Sequence, residues 1–345
     1  MVGARYIVTA DPENIKAMLA TQFDDFGKGE RFSNDWRELM GHSVFNVDGV
    51  EWHNSRQRLR PLFTRQRISN LECFERHVQV LLPMLGSGET VDIKDLFSRF
   101  ALDASGDFSL GRHIGSLQNP KSEAFDAFER IRRTQSLIER SGPFNVFLPR
   151  RQFRRDLAAI DAFMEPTIRE AIALSQDELK ERDKKDESYT FVQECAALSQ
   201  NRNFLRDELM TVLIAGRDTT AVTLSFCLFE LARNPDVVAR LRQEIEDTLG
   251  LNRKPTYEDL KSMKFLSSIL NETLRLYPVA PFNIRAAIKD TSLPRGGGPD
   301  GNEPIGLPAG TSVIYSTHML RKSHIRDDSQ KNFSMFICRV NLSFR

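Results

Sequence analysis

Cysteine and net charge are both scarce in this sequence. Its 345 residues include four cysteines, Cys73, Cys195, Cys227 and Cys338, and no two of them form a Cys-x-x-Cys pair. This spacing predicts neither a disulfide framework nor a zinc site, and it indicates an intracellular, reducing compartment. The 48 basic residues are nearly balanced by 47 acidic ones. The resulting net charge of +1 gives no general reason to expect nucleic acid or an acidic membrane as a partner.

An uninterrupted transmembrane run is lacking as well. The most apolar region, from Leu209 to Leu231, has Arg217 and Asp218 at its centre. Two adjacent charges are costly in lipid, so the sequence predicts a buried helix of a soluble protein here. The start of the chain shows no charged segment, apolar run and cleavage site in succession. We therefore expect neither a signal peptide nor a membrane anchor.

The overall composition is that of a soluble globular protein, with 40% apolar and 28% charged residues. This balance excludes a disordered chain, a collagen and a multi-span membrane protein. Apolar positions three and four apart predict long helices, and short apolar runs predict strands. The predicted helices cover 66–85, 121–140, 152–180, 190–200, 205–233, 235–248 and 263–276, and the predicted strands cover 6–9, 284–287 and 311–315. With no flexible linker, the pattern favours a single mainly α domain over 1–345 with a small β part.

Two features that suggest phosphate or nucleic acid do not fit their context. Gly296-Gly297-Gly298 lies among turn-forming residues, whereas a phosphate loop follows a strand and opens a helix with Lys-Ser or Lys-Thr. Basic clusters occur within 56–67 and 150–155. Such clusters are more often solvated faces or protein-docking surfaces, and the chain lacks the excess of positive charge expected of a nucleic-acid binder. We therefore expect no nucleic-acid partner.

The predicted helix over 205–233 has an unfavourable centre. Its residues 215–220 read Ala-Gly-Arg-Asp-Thr-Thr, and Gly, Asp and Thr are all poor helix formers. Such a weak point between strongly apolar turns is typical of a functional site. Gly216 would let a ligand approach the backbone, while Asp218 and a neighbouring hydroxyl could relay protons. The alternative is a harmless polar notch, or an Asp218 that pairs with a cation.

A second pattern joins an acid and a base on one helix face. Glu272 and Arg275 are three residues apart and can meet on a helix. The same spacing occurs at 129/132 and at 230/233, and most such pairs are solvated and weak. The third pair differs because its helix is apolar nearly all round and ends in Leu-Tyr-Pro at 276–278. This context predicts a buried pair.

Together these strings resemble the cytochrome P450 family of haem-thiolate monooxygenases. The resemblance rests on Ala-Gly-Arg-Asp-Thr-Thr, on Glu-Thr-Leu-Arg-Leu-Tyr-Pro at 272–278, and on Trp-His-Asn-Ser-Arg at 52–56. Their order holds from about residue 5 to 315. Phe-Gly-Lys-Gly-Glu-Arg-Phe at 26–32 and Leu-Pro-Arg-Gly-Gly-Gly-Pro-Asp-Gly at 293–301 are most similar to the fungal-type branch that hydroxylates alkanes and fatty acids.

The resemblance implies a helical P450 fold with small β-sheets and haem b as cofactor. It assigns proton delivery to Asp218 and Thr219, and a structural salt bridge to Glu272 and Arg275. It further implies that the cofactor is held by Trp52, Arg56 and Arg285 at the haem propionates and by Ala215 and Gly216 at the oxygen-binding face. Charge-assisted hydrogen bonds from arginine suit such carboxylates.

The axial thiolate of the family has no clear counterpart. In the family this cysteine lies in Phe-x-x-Gly-x-Arg-x-Cys-x-Gly, and none of the four cysteines fits; Cys338 alone is late enough in the chain. The family pattern fades after about residue 315, and 316–345 reads as a divergent tail. The sequence therefore predicts an incomplete P450 domain without the N-terminal anchor and the C-terminal haem-ligand region, and no metal ligand.

Two functions follow from these observations. The first is a haem-dependent monooxygenase that uses O2 and a separate NADPH-dependent reductase to hydroxylate an apolar small molecule, an alkane or a fatty acid. The second is a catalytically inactive, haem-free helical protein that binds a lipid or a partner in an apolar pocket. The family implies the cytosolic face of the endoplasmic reticulum, whereas a chain without an anchor would be cytosolic.

Overall fold

The computed structural model describes residues 6–319, apart from 61–70, 87, 176, 180–189 and 251–252. Within these residues the chain forms twelve α-helices and six strands. The helices are α1 Pro12–Lys16, α2 Glu30–Met40, α3 Gly49–Leu59, α4 Glu72–Leu85, α5 Ile93–Leu110, α6 Glu123–Ser141, α7 Arg151–Ala173, α8 Phe191–Leu198, α9 Arg202–Arg233, α10 Pro235–Leu249, α11 Tyr257–Ser262 and α12 Lys264–Leu276. The strands are β1 Tyr6–Thr9, β2 Phe26–Gly27, β3 Phe282–Ala287, β4 Thr291–Gly297, β5 Glu303–Leu307 and β6 Ser312–Ser316. The predicted mainly α fold with small β-sheets is confirmed.

The chain divides into two compact units, and the boundary between them falls within α9. The first unit comprises Met1–Gly29 and Phe226–Arg345, and the second comprises Glu30–Ser225. The single domain over 1–345 that the sequence pattern favours would include both units, and it stays a prediction.

The first unit contains all six strands. Its four-stranded sheet has the order β1-β6-β3-β2, in which β1 runs parallel to β6 and the other pairs are antiparallel. The short helix α1 has a favourable start, because the Asp11 carboxylate accepts hydrogen bonds from the backbone N–H groups of Glu13 and Asn14 and Pro12 occupies the first turn. Buried side chains of α1 and the strands, among them Ile15, form one small core.

The segment around Gly296-Gly297-Gly298 forms a hairpin of two strands, which were not predicted from the sequence. Strands β4 and β5 pair in antiparallel fashion, with an irregularity between Leu293 and Gly297. The backbone N–H of Gly296 donates to the carbonyl of Gly301 at 2.8 Å. Gly298 and Gly301 have positive φ angles of 70° and 68°, which only glycine adopts readily. These glycines therefore serve the hairpin turn, in agreement with the rejection of a phosphate loop.

The second unit is helical and holds the largest core. Helices α2, α5, α6, α7, α8 and the first half of α9 contribute fully buried side chains to it. Helix α5 has ten buried residues, yet the sequence analysis did not predict it. Its middle, Asp-Ala-Ser-Gly-Asp over 103–107, contains poor helix formers. The buried Asp103 carboxylate explains part of this sequence, because it accepts hydrogen bonds from the backbone N–H groups of Ser116 and Leu117.

Burial of helix α9 is concentrated in its first half, which corrects the prediction of a buried helix. In the described part of the chain it is the one helix with the length and apolar composition needed to cross a membrane. Leu205, Leu209 and Leu213 are fully buried in the core of the second unit. In contrast, only 22% of its most apolar window is buried, and Phe229 is 50% exposed. The reason is that an apolar sequence does not specify which neighbours cover it.

Candidate functional site

The second unit encloses a mostly apolar cavity of about 480 Å³ along one face of α9. Side chains from α3, α4 and α5 complete its walls, among them Leu59, Phe74 and Phe100. Helix α9 contributes Glu208, Thr211, Val212, Ala215, Gly216 and Thr220. Positions 208, 212, 216 and 220 are four residues apart, as are 211 and 215, which places all six on one helix face. A cavity of this size and lining suits an apolar small molecule or part of a cofactor.

Glu208 is the acidic group in the wall of this cavity, and sequence analysis missed it. It is fully buried, and its Oε1 accepts hydrogen bonds from Ser55 Oγ at 2.6 Å and from the backbone N–H of Val44 at 3.2 Å. Its Oε2 contacts no hydrogen-bond partner among the described residues. Burial raises the pKa of Glu208 to about 7, although the two hydrogen bonds oppose the rise. This carboxyl can therefore carry a proton near neutral pH.

Arg217 and Asp218 at the centre of α9 form part of an ion-pair network. Arg217 is only 2% exposed, and its guanidinium binds Glu129 of α6 and Asp218 Oδ1, the latter at 3.0 Å. Glu129 also binds Arg132 at 2.9 Å. Burial works to raise the pKa of Glu129, but the two arginines outweigh it and hold the pKa at about 2. Asp218 therefore pairs with the arginine next to it in sequence, and its role in proton delivery stays a prediction.

The small and hydroxyl residues of the notch have defined local contacts. Thr219 is exposed, and its Oγ donates to the backbone carbonyl of Ala215 at 2.6 Å. This kind of bond slightly bends a helix. A side chain on Gly216 would collide with Ser105 Oγ of α5. The close approach at Gly216 is therefore a contact between two helices, while its role and that of Ala215 in holding a cofactor stay predictions.

Glu272 and Arg275 form the salt bridge that their spacing predicts. Arg275 Nε lies 2.7 Å from Glu272 Oε2, and Nη2 lies 2.5 Å from Oε1. The pair is only partly buried, with the side chains 20% and 26% exposed, which corrects the prediction of a buried pair. The buried face of α12 is instead formed by Phe265, Ile269 and Thr273. A two-point contact of this kind fixes the geometry of both side chains.

The three residues that were predicted to hold propionates lie on α3 and β3. Trp52 and Arg56 are neighbours on α3, with the guanidinium carbon 5.4 Å from the centre of the indole ring. Arg285 lies on β3 in the other unit, and its Nη1 donates to the backbone carbonyl of Ile284 at 2.8 Å. Within the described residues, no acidic side chain forms an ion pair with Arg56 or Arg285. Each of these guanidinium groups, taken within its own unit, can donate hydrogen bonds to a carboxylate such as a haem propionate.

Three of the four cysteines lie in described helices, and Cys338 lies outside the described residues. Burial raises the pKa of Cys73 to about 12, raises that of Cys195 well above its ordinary value, and raises that of Cys227. None of the three therefore has the low thiol pKa of a ready thiolate ligand.

The second basic cluster is partly neutralised within its own unit. Arg150 and Arg154 both bind Glu38 of α2, at 2.7 and 2.9 Å. These contacts favour a structural role for the cluster over a phosphate-binding one.

Other chemically notable groups were missed because their partners are distant in sequence. Glu129 had been grouped with ordinary helix ion pairs, and its contact with Arg217 spans 88 positions. Glu208 could have been found by its spacing from Val212 and Ala215, which places an acid on the apolar face of α9. Cys73 and His77, four residues apart on one helix, lie close to Asp107 of α5.

The amino-acid sequence matches the family model of cytochrome P450 over residues 1–324. The chain therefore belongs to the cytochrome P450 family, as the resemblance predicted.

Several fungal relatives are similar to this chain. Cytochrome P450 monooxygenase pvhE of Talaromyces variabilis is 43% identical over 339 residues, which cover 93% of this chain and 63% of the relative. Cytochrome P450 52A3-B of Candida maltosa is 38% identical, covering 94% of this chain and 65% of the relative. Cytochrome P450 52A1 of Candida tropicalis is 38% identical, with coverage of 92% and 61%. The chain thus spans somewhat less than two thirds of the length of these relatives.

Proposed function

We propose that this protein is a haem-dependent monooxygenase that hydroxylates an aliphatic C–H bond of an alkane or fatty acid. One oxygen atom of O2 enters the substrate and the other leaves as water, with two electrons from a separate NADPH-dependent reductase and two protons from solvent. The family match over residues 1–324 carries this proposal. The similarity to the fungal P450 52A proteins supports the choice of an apolar substrate.

The cavity in the second unit supports the same substrate class. Its walls are almost entirely hydrocarbon, from Val44, Phe45 and Phe108 among others. Burial of an aliphatic chain there is favourable by about 25 cal/mol per Å² of apolar surface. Glu208 and Thr211 are its buried polar groups, and protonated Glu208 or the Thr211 hydroxyl can donate a hydrogen bond to the carboxylate end of a fatty acid.

The residues present fit the periphery of a haem. Within the second unit, Arg56 offers a guanidinium group for a propionate, and Ala215 with Gly216 offers a small-residue surface. Arg285 offers the same kind of group within the first unit, and Trp52 lies beside Arg56 on α3. The bound haem supplies the oxidising chemistry. The protein contributes a dry cavity and the orientation of the substrate.

Asp218 and Thr219 are suited to hold and move a proton at the centre of α9. Arg217 fixes one oxygen of Asp218, which leaves the other oxygen free to receive a proton from solvent because the side chain is 37% exposed. Thr219 Oγ donates to a backbone carbonyl and keeps its lone pairs available. We infer that a proton passes from the Asp218 carboxyl through the Thr219 hydroxyl toward the reacting centre.

The cytosolic face of the endoplasmic reticulum is the proposed location. A reductase at the same membrane would then supply electrons, and an apolar substrate would partition into the nearby lipid. The exposed Arg58 and Arg60 at the end of α3 are a surface of the right sign for an acidic reductase.

The first test is the carbon-monoxide difference spectrum of the reduced 345-residue chain, expressed with added haem. A Soret band at the long-wavelength thiolate position supports the proposal, and replacing Cys338 with Ser then identifies the ligand if the band is lost. Arg56→Ala is expected to lower haem retention, while Arg58→Ala, also an exposed arginine on α3, is not. A protein that binds no haem, or binds it without the shifted band, contradicts the proposal and favours the haem-free lipid- or partner-binding alternative.

Proton delivery is tested with a matched pair of threonines. Thr223 Oγ donates to the carbonyl of Thr219 one turn after Thr219 makes the same kind of bond to Ala215. Thr219→Ala is expected to lower the yield of hydroxylated product per NADPH consumed by about 100-fold, the low end for one acid–base group. Thr223→Ala should leave this yield unchanged. Equal yields in both variants would contradict the role of Thr219.

A further inference from the structure

A cluster of three possible metal ligands joins α4 and α5. One ligand atom each from Cys73, His77 and Asp107 lies within 4.8 Å of the other two. Cys73 and His77 are one helical turn apart on α4, so both side chains point to the same side. Asp107 reaches them from α5, and its Oδ2 lies 3.1 Å from His77 Nε2.

The donor set is a thiol, an imidazole and a carboxylate, which is the combination that zinc binds in proteins. Tetrahedral zinc with ligand distances of about 2.0–2.3 Å needs its ligand atoms roughly 3.5 Å apart. The ligand atoms of the cluster lie up to 4.8 Å apart, so they must approach one another by about 1 Å to bind zinc. Rotation of the Cys73 side chain provides a movement of this size. Three protein ligands leave the fourth position to water.

The surroundings hold the ligands in place but leave a path for an ion. His77 is 2% exposed, and its ring stacks on that of His113 with centroids 5.5 Å apart. Cys73 is only partly buried.

We propose that Cys73, His77 and Asp107 bind one Zn²⁺ ion, which ties α4 to α5. On binding, the ion displaces the proton of the Cys73 thiol, and His77 keeps its remaining N–H on Nδ1. Arg76, which now donates to Asp107 Oδ2 at 2.8 Å, moves into solvent or to the second carboxylate oxygen. This site runs against the expectation from cysteine spacing, which considered only Cys-x-x-Cys pairs.

Zinc binding is measured on the full chain as purified. The protein is stripped with a chelator and dialysed against ZnCl2, and its zinc and iron contents are determined separately by elemental analysis. We expect one equivalent of zinc. Cys73→Ser, His77→Gln and Asp107→Asn should each weaken binding at least 100-fold, while Cys227→Ser, which removes a cysteine outside the cluster, should leave the affinity unchanged. Absence of bound zinc, or equal affinity in Cys73→Ser, would overturn the proposal.

Two further measurements do not depend on the folding of a buried variant. In the unaltered chain, zinc should slow alkylation of Cys73 by iodoacetamide at least tenfold, as followed by peptide mass spectrometry, without protecting Cys227. Arg76→Gln removes a cation beside the ion from an exposed position and should tighten zinc binding roughly fivefold. Unchanged alkylation of Cys73, or weaker binding by Arg76→Gln, contradicts the site.

Discussion

The Glu208→Gln substitution tests whether a buried carboxyl in the cavity wall controls stability. Glutamine has nearly the same shape as protonated glutamate, and its carbonyl oxygen can accept the bonds from Ser55 Oγ and the Val44 N–H. It lacks the charge that glutamate acquires when the pH rises. The substitution therefore isolates the cost of burying that charge.

The size of the effect follows from the pKa of Glu208. Burial raises this pKa from its ordinary value of 4.5 to about 7, and one pKa unit corresponds to about 1.4 kcal/mol. Below pH 4.5 the carboxyl is protonated in both the folded and unfolded chain, so it imposes no penalty. As the pH rises to 7, the unfolded chain ionises first and stability falls by about 3 kcal/mol. Above pH 7 the loss is constant.

Urea unfolding at several pH values measures this loss. The free energy of unfolding of Glu208→Gln should exceed that of the unaltered chain by about 3 kcal/mol at pH 8, and the difference should vanish near pH 4.5. Glu165→Gln is a control of opposite sign, because Arg202 lowers the pKa of Glu165 and its stabilisation is lost as the pH falls. A Glu208→Gln difference that does not vary between pH 4.5 and 8 would refute the reasoning.

Three other substitutions test contacts in both units by urea unfolding at pH 7. Arg217→Met leaves the Glu129 charge without its most buried partner and should lower the free energy of unfolding by about 3 kcal/mol; no loss would mean that this pair is not formed. Gly216→Ala should lower the free energy of unfolding by about 1 kcal/mol, because the added methyl group collides with Ser105. The further substitution Ser105→Ala should restore the lost stability. If there were no collision, Gly216→Ala would only stabilise the helix through its higher helix propensity. Asp11→Ala removes the N-cap of α1 and should cost about 1 kcal/mol, and an unchanged value would exclude a stabilising cap.

Local sequence signals predicted much of the helical fold. Helix α10 was expected at 235–248 and is found at Pro235–Leu249, because its proline start and apolar period are both contained in one short segment. Helix α5 was missed because its residues are chosen for burial and for bonds such as those of Asp103, which outweigh poor helix propensity. The β4–β5 hairpin was missed for a related reason: Pro294 and the glycines argue against a strand, while the bulge between Leu293 and Gly297 accommodates them.

The candidate site shows the same division between local and distant information. The bond between Glu272 and Arg275 depends on two residues one turn apart, so spacing was enough to predict it. The partner of Arg217 is on another helix, and three Glu-x-x-Arg pairs of equal spacing gave no reason to single out Glu129. Glu208 depends on Ser55, 153 positions away, and its raised pKa follows from burial that no sequence pattern displays. Distant contacts of this kind require the fold.

The pairing of β1 with β6 sets an order of events during synthesis. Tyr6 lies opposite Ser312, so about 300 residues must leave the ribosome before the first strand meets its partner. At about 5–20 residues per second, this interval is roughly 15–60 s. The helices of Glu30–Ser225 emerge within that time and can begin to pack. The segment that contains β1 and α1 must meanwhile wait with Ile7 and Ile15 uncovered, which makes it a natural binding target for chaperones in the cell.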